Sequence, residues 1–102
     1  MRIYLPAVRA DVESLATGGA VTAEAFIPES EDEDAEFAAF SEAADHGAVV
    51  VSADVDAQGE PVTLDKVAAF HVDVDGSGDL AWFATQEIDA MLLAMRSTAS
   101  ED

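Results

Sequence analysis

The chain has 102 residues, half of them apolar, and its 22 acids against 4 bases leave a net charge of −18. That length suits one domain with a modest core, the apolar share excludes a disordered chain, and the lack of cysteine excludes disulfides and thiolate metal sites. So acidic a surface repels phosphate backbones and anionic lipid, which argues against nucleic acid and membrane partners and for cations or a basic protein partner.

Residues 2–5, RIYL, are β-branched and aromatic and predict a first strand, ended by Pro6. Val8, Val12 and Leu15 then fall on one face of a short helix. Gly18 and Gly19 stop it, as a left-handed C-terminal cap requires. Residues 20–27 alternate loosely and predict a second strand, closed by Pro28.

Ser30 and Glu33 have capping-box spacing, and the acids around them suit the positive end of a helix over 31–45. Phe37, Phe40 and Ala44 form its narrow apolar stripe, and His46 and Gly47 lie at its end. Residues 48–51, AVVV, predict a strand covered on both faces. Residues 54–61 read as a loop and 63–66 as a single helical turn.

Residues 67–74 predict a strand with Phe70, Val72 and Val74 on one face and His71 and Asp73 on the other. Residues 80–84 predict the next strand, and Thr85 a cap for the last helix, with Glu87 in its first turn. Ile88, Met91, Leu92 and Met95 make the clearest helical face in the chain. The domain is expected over 1–96, with 97–102 a frayed acidic tail.

No apolar run reaches the roughly 18–20 residues of a membrane-spanning helix. The start, MRIYLPAVRADVE, also lacks the long apolar core of an export signal, so a cytoplasmic location is expected.

The stretch DVDGSGDL, 73–80, matches the opening of a calcium-binding EF-hand loop, with Asp73, Asp75 and Ser77 at ligand positions and Gly78 at the turn. The twelfth position, which should carry a bidentate glutamate, is Ala84, and Glu87 comes three residues too late. The flanks, HVDV and LAWFA, alternate with period two, so the stretch predicts a β-hairpin. A weaker site remains, because His71, Asp73 and Asp75 alternate along one strand and could share a divalent cation, the one cofactor these residues suggest. With Glu87 added, the same set would suit a small metal-dependent hydrolase. The plainer reading of the set is the solvent side of a hairpin, where polar residues belong.

No serine sits in a nucleophile elbow, and no phosphate-binding glycine loop occurs. Tyr4 and Trp82 read as core or sheet-face aromatics.

Three segments carry a resemblance: the start MRIYLPA, the run EFAA at 36–39, and FHVD at 70–73 with DLAWFATQEI at 79–88. On them the chain resembles a small actinobacterial family of uncharacterised, cytoplasmic, single-domain proteins. The resemblance implies no activity; it points to His71, Asp73, Trp82, Gln86 and Glu87 as the polar site to inspect. The chain is more acidic and poorer in arginine than such relatives would be.

The order β-α-β-α-β-β-β-α predicts an α/β (α+β) two-layer sandwich, with three helices on a mixed five-stranded sheet and a ferredoxin-like arrangement as runner-up. Three functions are open. The first is a non-enzymatic acidic protein-interaction module with a basic protein partner. The others are a divalent-metal-binding protein or hydrolase built on His71, Asp73, Asp75 and Glu87, and a halophilic housekeeping domain.

Overall fold

A computed structural model describes residues 1–22, 24–57, 59–73 and 80–99, with side chains through Met95. In chain order the elements are strand β1 (Arg2–Ala7), helix α1 (Arg9–Ala16), strand β2 (Ala20–Val21), helix α2 (Glu33–His46), and strands β3 (Val49–Asp54) and β4 (Val62–Thr63). Strands β5 (Val67–Val72) and β6 (Ala81–Ala84) and helix α3 (Ile88–Ala99) complete them, with short 3-10 turns at Leu64–Lys66 and Thr85–Glu87. The α/β class and the three helices are those the sequence predicts.

The expected single five-stranded mixed sheet is replaced by two smaller ones. A four-stranded sheet runs β1-β3-β5-β6, and β2 pairs with β4 apart from it. Every pair among the described strands is antiparallel. The physical reason lies in the expected second strand, which breaks in two. Ala20–Val21 joins β4, while Phe26 exchanges both backbone hydrogen bonds with Tyr4 on the outer edge of β1 (2.9 and 3.0 Å). Among the described residues no parallel crossover forms, and the ferredoxin-like runner-up fails with it, because its split β-α-β unit needs parallel strands.

Pro6 does not end β1. Tyr4 turns its N–H and C=O outward to Phe26, so by antiparallel alternation residue 6 also points its backbone nitrogen away from β3. A proline there removes no ladder bond and is tolerated on an edge strand.

One face of the sheet carries Ile3, Leu5, Val49, Val51, Phe70 and Val72, packed on Val12 and Leu15 of α1 and Ile88 and Met91 of α3. A bulge opposite Ser52 and Ala53 leaves Ala68 as the extra residue, so Val67 and Phe70 both reach this core despite their odd spacing. Gly18, at φ +89°, ends α1: Gly19 N–H donates to Ser14 O (2.7 Å) and Gly18 N–H to Leu15 O (3.2 Å), the two bonds of a Schellman cap.

The other face carries Tyr4 and Val50 under Ala39 and Ala43 of α2, with Phe26, Phe40 and Ala44 at the margin. Helices therefore cover both faces, giving three layers where two were expected. The line that α2 buries is Ala39 and Ala43, one position away from the Phe37–Phe40–Ala44 stripe. Those alanines bring the helix close to the sheet. At its end, a Cβ on Gly47 would lie 2.8 Å from Ala7 N and 2.9 Å from Ala7 O.

Two expected caps take other forms. The α2 N-cap is Asp32, and the Ser30 hydroxyl instead accepts from Asp32 N–H (3.2 Å). Thr85 donates its hydroxyl to Val67 O (2.9 Å), and Glu87 caps the turn by accepting from Ala84 N–H (2.9 Å).

Candidate functional site

β5 and β6 are consecutive antiparallel strands, so the chain on both sides of residues 74–79 is extended. An EF-hand needs a helix on each side, and the flanks rule it out. The loop residues themselves, Asp75 and Ser77 among them, lie outside the described residues.

Period two and the register place His71 and Trp82 opposite each other on the face that α2 partly covers. His71 is half-buried. Its imidazole meets Phe40 edge-to-face, with centroids 4.8 Å apart at 82°, and Phe40 meets Tyr4 in the same way at 6.0 Å and 88°. Burial lowers the His71 pKa from its ordinary value, because an imidazolium there would lose solvation. On the far side of Phe40, burial first and the Glu36 carboxylate second raise the Tyr4 pKa, and Tyr4 Oη donates to Glu36 Oε1 (3.3 Å).

Trp82 stays 61% exposed and Phe37, one turn before Phe40, 69%. Fully burying a large apolar side chain gains about 1.5–3 kcal/mol, so each of these leaves about 1–2 kcal/mol of hydrophobic gain unused. Scattered exposed apolar residues are ordinary. These two aromatics, however, border the same half-covered sheet face, Trp82 on its floor and Phe37 on the flank of α2 that Phe40 shares, and make it a candidate contact patch.

Eight acids and no lysine or arginine occur between residues 29 and 45. Helical geometry puts Glu33, Asp34 and Asp45 on the Phe37 side of α2, whereas Glu29, Glu31, Glu36 and Glu42 line clefts by Phe26, Ile27 and the start of β1. The bases whose side chains are described are engaged elsewhere. Arg2 pairs with Asp54 across β1 and β3 (2.9 Å), which raises the arginine pKa and lowers that of the carboxyl. Arg9 pairs with Glu13 (3.5 Å) and donates to Leu92 O (3.1 Å), and Lys66 pairs with Glu60.

Of the residues the sequence singled out, the structure brings His71 and Trp82 together. Asp73 follows directly on β5 and is partly buried. Gln86 and Glu87 lie exposed on the 3-10 turn past Ala84, with the Glu87 carboxylate engaged at the end of β6. Among the described residues no three of His, Asp and Glu come together as a metal site would need. Asp75, the third member of the expected set, lies outside them. His46, expected at a helix end, is the last residue of α2 and stacks on Phe26 (5.2 Å, 17°).

Sequence reasoning passed over Phe37 as a functional residue. The signal was there: an aromatic among acids and alanines, on a helix whose inward positions are filled by alanine. No helix among the described residues is long and apolar enough to cross a membrane. No family model, curated protein or solved structure matches the chain.

Proposed function

We propose that the protein is a non-enzymatic interaction module of the cytoplasm whose acidic surface receives a basic protein partner. One observation carries the reading: Phe37 and Trp82 are both exposed beside a half-covered sheet face, on the side of α2 that also carries Glu33, Asp34 and Asp45. Interface cores are typically aromatic, while charged rims steer association and set its salt dependence. The patch supplies the aromatic centre and α2 the acidic rim.

The test is crosslinking of the full chain in native extract, followed by identification of what is captured and measurement of its affinity with purified components. The reading expects a basic partner whose affinity falls about tenfold or more between 50 and 300 mM salt. It also expects the Phe37→Ala, Trp82→Ala double variant to release that partner. A partner that binds equally at both salt concentrations and ignores the double variant contradicts it.

A further inference from the structure

The two faces of the sheet are unequally covered. On one, α1 and α3 lie side by side, joined by the Arg9 bond to Leu92 O. On the other, α2 lies on β1 and β3 and touches β5 through Phe40. Neighbouring strands are about 4.8 Å apart, so four strands span about 14 Å between their outer axes. Packed helices sit about 8–10 Å apart. Among the described residues, a single helix over β1 and β3 thus leaves the width of a second over β5 and β6.

His71, Trp82 and Ala84 floor this lane. Phe40 touches His71, so its flank of α2 is the lane's wall, and helical geometry puts Glu33, Phe37 and Ala44 on that flank with it. Asp34 and Asp45 follow along the upper edge, at positions turned further from the sheet.

Resting on the interaction reading above, we propose that this lane takes an amphipathic, basic helix of a partner protein as the missing second helix of the α2 layer. Charge decides between occupants. A second copy would set −18 against −18 along the same acidic wall. A strand added to the edge of β6 would find only four residues, with the Ala84 N–H already given to Glu87. A helix with an apolar stripe flanked by lysine or arginine buries Trp82 and Phe37 and meets the acids of α2.

Trp82 is the chain's single tryptophan, so the lane reports on itself. The probe is a synthetic leucine–lysine helix of about 18 residues with leucines at i, i+3, i+4 and i+7, compared with a scrambled peptide of the same composition. Titrated into the full chain at low salt, the striped peptide should shift Trp82 emission to the blue, saturably, and bind at least tenfold more tightly than the scrambled one. Phe37→Ala should weaken it at least tenfold, while Leu93→Ala, an exposed apolar change on α3, should leave it unaltered; circular dichroism confirms that both variants are folded. Equal affinity for both peptides with no blue shift overturns the lane and leaves the broader acidic-interaction reading standing. No binding of either peptide at low salt overturns both readings. A blue shift that grows with protein concentration alone makes the occupant a second copy and overturns the basic partner.

Discussion

Phe40 meets both the His71 imidazole and the Tyr4 ring nearly at right angles, so one half-buried aromatic bridges α2 to both β1 and β5. Removing it should loosen α2. Phe40→Ala is expected to cost about 2 kcal/mol, below the 3–5 kcal/mol of a fully buried phenylalanine because the ring is only partly covered. It should also return the His71 pKa toward its ordinary value by letting water in. Urea denaturation and an NMR titration of His71 check the two effects in one variant.

The lowered His71 pKa makes a signed prediction about stability. The unfolded chain, with an ordinary imidazole near pH 6.5, binds the proton more readily than the fold does. The contribution of His71 is therefore complete above about pH 6.5 and is lost as pH falls through that value, ending below the folded pKa. Acidification also relieves carboxylate repulsion, which pulls the other way, so the readout is a difference. The melting temperature of the native chain minus that of His71→Gln should fall between pH 8 and pH 5. A difference that stays flat or rises means the imidazole is not desolvated.

Gly47 is held by contact with Ala7, not by an unusual backbone angle. Gly47→Ala places a methyl against a backbone N and O that cannot retreat singly, and is expected to destabilise by about 1–3 kcal/mol. Gly59→Ala meets no atom but carries φ +84°, so its cost should come from backbone strain, about 1 kcal/mol. Chemical denaturation of the two variants separates the mechanisms.

The acidic surface should make stability rise with salt. Screening of exposed charges is nearly complete once the Debye length falls to a few ångström, toward about 1 M. A melting temperature that climbs through a few tenths molar KCl and then levels off fits a surface that serves association. One that climbs steadily through several molar favours the halophilic reading over the interaction module.

Much of this fold was legible because its signals were local. The Ile88–Met95 face, the glycine cap of α1 and the hairpin flanks around residues 74–79 each follow from neighbouring residues. What was not legible depended on partners remote in sequence. Pro6 reads as a strand end until Phe26 is known to occupy the edge that makes it harmless. The stretch 20–27 reads as one strand until β4 and β1 divide it. On α2, large residues outweigh small ones in any periodicity, so Phe37 and Phe40 drew the stripe although Ala39 and Ala43 are what the sheet accepts. That inversion hid the candidate site, since the aromatic left outside is the one available to a partner. His71 and Trp82 were named from sequence, but that they face each other became visible only with the register.

On the proposed function, Trp82 stands uncovered in the free chain and is covered by a basic partner. Collisional quenching of its fluorescence by neutral acrylamide, with and without the captured partner, tests both halves directly. Efficient quenching is expected in the free chain at micromolar concentration, with strong protection in the complex that a few hundred millimolar salt reverses. A tryptophan already shielded when alone, or still fully quenched with the partner bound, would contradict the proposed function.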